Sequence, residues 1–488
     1  MKPTLGMKFE SPTQLKDSMI DYGVSNGYQL KFPVNDYKRL LVRCGEEETD
    51  DENDEKDEEG KKDEGDEKDE EDGMGKKPDN IKKKKKKSSK KKALNDYEGG
   101  LKEHYSKLSD YGAEILLTNP GSTVKMVVNE DANRDIYFSS YYICFKGVKD
   151  GWMNGCRKII GLDGCFIKTG QLLSAIGRDA NNHIFPLAWA VVSVENKENW
   201  KWFLDLLKGD VEMECGIGLT LISDQHKGIV EAVKDVFPYA EHRQCTRHIY
   251  ANFNKKFRGI DYKNLFWGAA KSTTEQQFEA KMNELKAISE EAYSHLIERN
   301  PKSWSRAFFE VDRACDAFEN DMSESFNSCI RVARRKPIIT MLEEIRMFVM
   351  QRSFTMSTKA EKVEHDVCPT VRKKLELIKL EQRHWKVIPS DNIIFEVRNE
   401  KDAYAVNVNE QTCSCRSWQL SGIPCVHTVA ALAFINKDPE NYINKWLKRD
   451  MFKEAYKYHI KPLKGSSSWP KERANAWPAK SKEKKRCF

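Results

Sequence analysis

Residues 159–192 read IIGLDGCFIKTGQLLSAIGRDANNHIFPLAWAVV, and this stretch decides the fold. It contains apolar runs of strand length separated by short polar turns, which predicts three consecutive β-strands. Downstream, NWKWFLDLLKGDV predicts an amphipathic helix, LTLISD a short buried strand, HKGIVEAVKDVF another helix and AEHRQC a further strand. Adjacent strands followed by alternating helices and strands predict the α/β class with a mixed sheet.

The chain on either side of this core is of several kinds. From residue 265 to about residue 380 the apolar periodicity is helical, and FEVRN with AYAVNVN then predicts a hairpin. Residues 46–72 carry 19 acidic residues and 4 lysines, whereas residues 76–92 carry 11 lysines and one Asp. Such segments bury too little apolar surface to fold, so residues 45–93 are predicted to be a disordered linker. The lysine block is typical of a nuclear-import signal or a phosphate-binding tail, with a plain solvated linker as the alternative.

Composition excludes several classes of protein. The first residues, MKPTLGMKFESPTQL, lack the apolar core of a secretory signal. The sequence contains no run of 18 apolar residues, so it predicts no membrane-spanning helix. We therefore expect a reducing intracellular compartment. The chain has 13 cysteines, and in a reducing compartment cysteines that are clustered in the sequence indicate metal binding more often than disulfide bonds.

Two aspartates occupy positions where a carboxylate is costly. Asp163 lies inside the apolar strand IIGLDGCFI, and Asp224 ends the strand LTLISD. Buried carboxylates are expensive unless they are paired or bind a metal, and strand ends of α/β sheets are where ligands bind. Glu324, near the start of a predicted helix, is the best third candidate for a magnesium or manganese site. The alternative is that the aspartates are turn residues and Glu324 is an ordinary helix N-terminal charge.

Residues 413–427, CSCRSWQLSGIPCVH, contain the clearest metal-binding pattern. Cys413, Cys415, Cys425 and His427 have the spacing of a SWIM-type zinc finger. Four sulfur and nitrogen ligands suit tetrahedral Zn²⁺ with no open position, so we predict one structural zinc ion. The predicted hairpin before the cluster and the apolar helix after it would form a small ββα module whose folding depends on the metal. The alternative is a chance grouping of cysteines.

A longer pattern resembles a known family, the plant Mutator-like element (MULE) transposases. The stretches that carry the resemblance are GLDGCFIKTGQLLSAIGRDANNHIFPLAWAVVSVENKENW, ISDQHKGIVEAV, FPYAEHRQCTRHIYANF and SESFNS. The resemblance extends from about residue 94 to about residue 463. It implies an RNase H-like core with a helical insertion and an Asp-Asp-Glu triad, whose members fall on Asp163, Asp224 and Glu324. The family's Cys-x-x-His signature falls on Cys245 and His248, which could bind zinc or a DNA strand or could simply be packed.

What the resemblance implies in function is DNA transposition. A catalytically competent copy would hold two Mg²⁺ or Mn²⁺ ions at the triad for strand cleavage and transfer, in addition to the zinc of the finger. DNA is the implied partner. Protein partners of the finger and a homo-oligomer are left open, no membrane association is expected, and the expected localisation is the nucleus.

The N-terminal segment departs from the family pattern. Residues 1–44 resemble the start of the family's DNA-binding zinc domain, yet Cys44 is its only cysteine and the charged insertion follows. Three classes of function therefore stay open. They are a transposase, a host DNA-binding regulator that resembles the far-red response transcription factors and does not cut DNA, and a protein-interaction module.

The predicted domains are seven. They are a truncated DNA-binding-like segment (1–44), a disordered linker (45–93), a helical lead-in (94–158), an RNase H-like transposase core with helical insertion (159–335), a helical region (336–390), a SWIM-type zinc finger (391–436) and a C-terminal tail (437–488).

Overall fold

The structure, a computed structural model of the protein, describes residues 29–35, 40–45, 103–130 and 136–471. The chain divides into two compact units, Met1–Pro78 and Asp79–Phe488. In the first unit, strands β1 (Gln29–Asn35) and β2 (Leu40–Gly45) pair as an antiparallel hairpin. The rest of the predicted N-terminal segment, and the predicted linker beyond Gly45, lie outside the described residues.

The second unit contains a seven-stranded mixed sheet. Its strands are β3 (Thr123–Glu130), β4 (Ile136–Cys144), β5 (Ile159–Ile167), β6 (Gly170–Arg178), β7 (Ile184–Val192), β8 (Thr220–Ser223) and β9 (Glu241–Gln244). The spatial order is β3-β4-β7-β6-β5-β8-β9. Strand β6 runs antiparallel to both of its neighbours, β5 and β7, whereas β8 runs parallel to β5, and β9 runs parallel to β8. The predicted α/β class with a mixed sheet is confirmed.

Two helices provide the crossovers between the parallel strands. Helix α3 (Lys197–Val211) connects β7 to β8, and helix α4 (Lys227–Val236) connects β8 to β9. The side chain of Asn196 caps α3 by accepting a hydrogen bond from the Asn199 backbone N–H at 2.8 Å. Trp200 of α3 is fully buried, and β6 and β7 are buried along almost their whole length. Such runs need apolar side chains on both faces, which explains why these strands show little alternation.

The segment before this core differs from its prediction as a helical lead-in. It begins with helix α1 (Leu108–Thr118) and ends with helix α2 (Lys146–Gly155), but strands β3 and β4 lie between them. β4 extends the sheet by pairing with β7, with Tyr142 opposite Ala190. Its sequence IYFSSYYIC is rich in aromatic and β-branched residues, which favour a half-buried pleated surface. The edge of β7 offers the backbone hydrogen bonds that such a strand needs. Pairing with β7 therefore explains why this segment forms a strand and not a helix.

The chain leaves the sheet after β9 and forms a helical segment with a core of its own. Its helices are α5 (Thr246–Lys256), α6 (Ile260–Lys271), α7 (Glu275–Ile288) and α8 (Glu290–Ile297). Phe266 of α6 and Trp304 stack at the centre of this core, with ring centroids 5.6 Å apart. The chain then returns to the sheet as α9 (Asp321–Cys329), followed by α10 (Ile338–Glu361) and α11 (Pro369–Glu381). We call residues 246–297 the helical insertion.

A small module follows α11. Strands β10 (Lys386–Pro389), β11 (Ile394–Arg398), β12 (Ala403–Asn407) and β13 (Thr412–Cys413) form an antiparallel sheet, and helices α12 (Ser417–Ser421) and α13 (Val426–Phe434) pack with it. The predicted hairpin is β11–β12, and it is confirmed. The module has four strands where the ββα prediction had two, because β10 and β13 each pair with one outer edge of that hairpin.

Residues 437–471 are part of the fold, so the prediction of a C-terminal tail from residue 437 is wrong for them. Helix α14 (Arg449–Tyr456) packs against α2 so closely that a side chain at Gly155 would collide with the Ala455 backbone. Trp469 is buried, with its ring centroid 5.2 Å from that of Tyr111. The apolar side chains that anchor this stretch are few and widely spaced, so the composition of the segment did not predict that it folds. Residues 472–488 lie outside the described residues.

Within the described ranges, no helix has both the length and the apolar character needed to cross a membrane.

Candidate active site and metal centre

Asp163 and Asp224 lie at the same level of two neighbouring parallel strands. In the register of β5 with β8, Gly161 pairs with Ile222. Asp163 follows Gly161 by two residues, and Asp224 follows Ile222 by the same number. Because adjacent strands in a sheet are about 4.8 Å apart, this register brings the two carboxylates to one edge of the sheet. The structure thus brings together the two aspartates that the sequence indicated.

The environment of Asp163 disfavours a negative charge. Burial raises the pKa of its carboxyl group to about 7, and the nearby carboxylates of Asp224 and Glu195 add to the rise. A divalent cation would reverse this situation, because it would offset both the desolvation and the repulsion between the acids. A cation shared by these acids would therefore stabilise their ionised forms.

Glu195 is an acid of this cluster that the sequence analysis did not identify. Its side chain lies against the α-carbon of Gly164, where an added Cβ would be 2.7 Å from Glu195 Oε2. The Trp200 indole N–H donates to Glu195 Oε1 at 3.0 Å, and the Gln171 amide donates to Oε2 at 3.5 Å. The signal was present in the sequence, because Glu195 follows the end of β7 much as Asp224 follows the end of β8.

Helix α9 packs directly over β5 beside the aspartates. The Asn320 amide donates to the Leu162 carbonyl at 2.9 Å, and the Asn327 amide donates to Asp163 Oδ2 at 2.6 Å. Gly161 permits this close approach, because a Cβ there would lie 2.9 Å from Ser323 Oγ and would collide with Asn320 Oδ1. The two asparagines thus fix the first turns of α9 to the strand that carries Asp163.

Glu324 lies on α9 between these asparagines, one helical turn before Asn327. It forms an ion pair with Arg247, whose guanidinium also donates to Glu319 Oε2 at 2.8 Å. The three acids Asp163, Asp224 and Glu324 do not all lie within 4.8 Å of one another among the residues that the structure describes. Glu324 thus lies on the helix whose Asn327 contacts Asp163, but its carboxylate is paired with Arg247.

Cys245 and His248 lie next to Glu324. The Cys245 sulfur, a His248 ring nitrogen and a Glu324 carboxylate oxygen are all within 4.8 Å of one another. Cys245 is buried and accepts a hydrogen bond from the Asn320 backbone N–H at 3.2 Å, whereas His248 is exposed. The Cys-x-x-His pair that the sequence indicated therefore forms one cluster with Glu324.

The small module brings together the four residues predicted to bind zinc. Cys413, Cys415, Cys425 and His427 are all buried, and one ligand atom of each lies within 4.8 Å of the others. His427 Nδ1 is 3.6 Å from the Cys413 sulfur and 3.7 Å from the Cys425 sulfur. Neighbouring ligand atoms of a tetrahedral zinc site are about 3.5–3.8 Å apart, given the usual zinc–sulfur and zinc–nitrogen distances. The donor set and its spacing fit Zn²⁺.

The surroundings of this cluster exclude water and hold the ligands in place. The Tyr404 ring stacks on His427 at 4.0 Å, and Trp385 packs edge-on at 4.3 Å. The Thr428 hydroxyl lies 3.2 Å from the Cys425 sulfur. Burial raises the pKa of the Cys425 thiol, and a cation bound at the cluster would stabilise its thiolate. The closed shell fits a structural zinc site rather than a catalytic one.

The module is attached to the helical insertion and the loop after it by the residue that follows Cys415. Arg416 donates to the carbonyl of Thr273 at 2.9 Å, to that of Phe309 at 2.8 Å and also to that of Ala307. Its backbone has a φ of +60°, in the left-handed region. Leu420 of α12 packs into the core of the helical insertion. The cysteine cluster and the insertion are therefore mechanically connected.

Two protein-family models match the chain. The model of the MULE transposase domain matches residues 159–252, which include both aspartates, Cys245 and His248. The model of the SWIM zinc finger matches residues 395–436, which include all four zinc-site residues. No curated protein matches this sequence. The chain therefore contains a MULE transposase domain followed by a SWIM zinc finger.

Proposed function

We propose that the unit containing the sheet is a DNA transposase core of the RNase H-like fold, with Asp163, Asp224 and Glu324 as its metal-binding triad. The arrangement of β5–β9 supports the fold, because three antiparallel strands are followed by two parallel strands joined through helices. The helical insertion supports it further, because it lies between the second acid and Glu324, where the resemblance to MULE transposases puts such a segment.

The observation that carries the proposal is the register that sets Asp163 beside Asp224 on parallel strands under helix α9. Structural aspartates in a buried sheet are paired with a cation or with hydrogen-bond donors. Here the partly buried Asp163 lies near two further acids and has the Asn327 amide as a side-chain donor. Such a cluster favours hard divalent cations with oxygen ligands.

The residues of the site have distinct roles in this proposal. Two Mg²⁺ or Mn²⁺ ions bound there would supply Lewis-acid activation of a water molecule or a 3′-hydroxyl and would stabilise the leaving oxygen of a phosphodiester. Asp163 and Asp224 form the rigid part of the site because Asp163 lies in β5 and Asp224 follows directly after β8. Asn327 orients the Asp163 carboxylate. Glu324 completes the site once it is released from Arg247, which a side-chain rotation on α9 allows because Glu324 is only partly buried.

A nicking assay tests the proposal. The full-length protein with Mg²⁺ or Mn²⁺ is expected to convert supercoiled plasmid to the nicked form, and Asp163→Asn and Asp224→Asn are each expected to abolish this. Asp205→Asn is the matched control, because Asp205 is exposed on the outer face of α3. Nicking that survives Asp163→Asn would refute the triad. DNA binding without nicking in either cation would instead identify a regulator that binds DNA and does not cut it.

We also propose that the protein works in the nucleus, on the strength of the lysine block at residues 76–92. A fluorescent fusion of the full chain is expected to accumulate in nuclei, and a variant with glutamine at residues 82–87 is expected to lose that accumulation. Equal nuclear signal from both proteins would refute the role of the block.

A further inference from the structure

We propose that Cys245, His248 and Glu324 form a second transition-metal site, selective for a zinc-class divalent cation and separate from the zinc finger. The site lies where the first turn of α5 meets helix α9, beside the carboxylate cluster. The cation it would take is of the class Zn²⁺ or Co²⁺, not Mg²⁺.

The three donors are already assembled. Their ligand atoms lie within 4.8 Å of one another, whereas ligand atoms around a tetrahedral zinc ion are about 3.3–3.8 Å apart. Shifts of about 1 Å close the difference, and they are available because His248 is exposed and Glu324 only partly buried. Cys245 directly precedes α5 and His248 lies in the first turn of that helix, so both donors are carried by the start of one helix.

The backbone around Cys245 holds the sulfur in position. The Cys245 N–H donates to the Ser223 carbonyl at 2.7 Å, and the Thr246 N–H donates to the Phe318 carbonyl at 2.9 Å. These bonds tie Cys245 both to the end of β8 and to the segment that leads into α9. The Asn320 N–H then points at the sulfur from α9 itself, at 3.2 Å. A donor aimed at sulfur stabilises a thiolate, which is the form that binds zinc.

The donor types decide which metal is bound. Thiolate and imidazole ligands favour Zn²⁺, Co²⁺ and similar ions, whereas Mg²⁺ takes oxygen ligands. The cluster of Cys413, Cys415, Cys425 and His427 offers four buried ligands, which would enclose a metal ion completely. The site at Cys245 offers only three protein ligands, one of them an exposed imidazole. It therefore leaves a fourth position for water or for a phosphate oxygen.

The shared use of Glu324 gives this site a consequence for the proposed strand cleavage, and this step rests on the proposed function. Arg247 engages Glu324 Oε2, and a zinc-class cation at Cys245 and His248 would engage the same carboxylate. Glu324 held on this side is not available to Asp163 and Asp224. Zinc bound here therefore competes with the hard cations for the third acid and inhibits nicking.

Cobalt titration tests the site itself. The buried finger is kept loaded with zinc, and Co²⁺ is titrated into the full-length protein, so that new absorption reports the second site. A cysteine-to-cobalt charge-transfer band is expected, with one Co²⁺ bound per chain. Cys245→Ser is expected to abolish the band, and His248→Ala to weaken cobalt binding at least tenfold. Cys215→Ser is the matched control, because Cys215 is an exposed cysteine away from the cluster, and the band should persist in it.

Two outcomes would overturn the proposal. One is the absence of a charge-transfer band in the wild-type protein, and the other is a band that survives Cys245→Ser. His248→Ala keeps the test decisive if Cys245→Ser fails to fold, because an exposed histidine is removed at little cost to stability; unchanged cobalt affinity in that variant would likewise overturn the site.

Inhibition is measured separately in the nicking assay. The zinc concentration that halves the nicking rate, relative to each protein's own rate without zinc, is expected to rise at least tenfold in His248→Ala. Cobalt binding without any nicking would leave the metal site standing and refute the proposed enzyme. Nicking without cobalt binding would do the reverse.

Discussion

Replacement of Asp163 by asparagine should stabilise the protein in the absence of divalent cations, and more so as the pH rises. Burial, with Asp224 and Glu195 nearby, raises the pKa of Asp163 from 3.8 to about 7. As the pH rises from 3.8 to 7, the unfolded chain releases this proton while the folded protein retains it. Unfolding then releases a proton, so the folded state loses stability over that interval, and the loss stays constant above pH 7.

The size of the effect follows from the pKa difference. About three pKa units correspond to about 4 kcal/mol above pH 7, since one unit is worth about 1.4 kcal/mol. Near pH 4 the difference falls below about 1 kcal/mol, because that pH is only slightly above the unfolded pKa of 3.8. Asparagine keeps the shape of the side chain and carries no charge, and its carbonyl can still accept the Asn327 hydrogen bond. The Asp163→Asn variant should therefore be more stable than the wild type by an amount that grows with pH.

Urea unfolding midpoints at pH 4.5, 6 and 8, without added Mg²⁺, measure this difference. The exposed Asp205→Asn variant is the control and should show no pH-dependent change relative to the wild type. Added Mg²⁺ should raise the wild-type midpoint at pH 8 and leave that of Asp163→Asn unchanged, because only the wild type gains a ligand of its folded state. A variant that is less stable than the wild type at pH 8, or a difference that does not vary with pH, would refute the reasoning about this buried acid.

Three further predictions concern packing and zinc. Gly161→Ala should push α9 away from β5, because the new methyl group collides with Asn320; it should lower the free energy of unfolding by about 1–3 kcal/mol and reduce nicking. Gly209→Ala is the control, because there is open space around Gly209, and it should raise the free energy of unfolding by up to about 1 kcal/mol. Equal urea midpoints for the two variants would contradict this. Arg416→Ala should lower the free energy of unfolding by about 2–4 kcal/mol, because carbonyls of the helical insertion and the adjoining loop lose a charged donor. The finger should keep its zinc in this variant. Zinc loss measured by mass spectrometry would show instead that Arg416 is part of the metal site. Cys425→Ser should release the finger zinc and expose the small module to protease, and an unchanged zinc content would rule out its role as a ligand.

The strands that carry the aspartates could be predicted because their signal is local. β5, β6 and β7 are apolar runs broken by turn residues, and β8 and β9 alternate with amphipathic helices. β3 and β4 could not be predicted in the same way, since they become strands by pairing onto the open edge of β7. Residues 449–471 belong to the fold through a few contacts, such as Ala455 against Gly155, that depend on a partner about 300 residues away.

The candidate site shows the same division. Asp163 and Asp224 were visible because a carboxylate is unusual in an apolar strand or at its end. Asn327 and Arg247 were not visible, because their contacts arise where α9 meets β5 and α5, and no spacing in the sequence encodes that meeting. The grouping of Cys413, Cys415, Cys425 and His427 could be predicted, since four donors within 15 residues define the cluster locally.

Arg416 decides how the zinc finger should be understood. A finger that reads DNA as a free module would be joined to the rest of the chain by a linker and would have few contacts outside itself. Here the residue directly after one zinc-site cysteine donates to carbonyls at Thr273 and Phe309, and Leu420 enters the core of the helical insertion. The insertion lies between Cys245 and Glu324 in the chain, because it begins with α5 and is followed by α9. We therefore expect zinc bound in the finger to stabilise the frame that positions Glu324, in addition to whatever surface the module presents to DNA or protein.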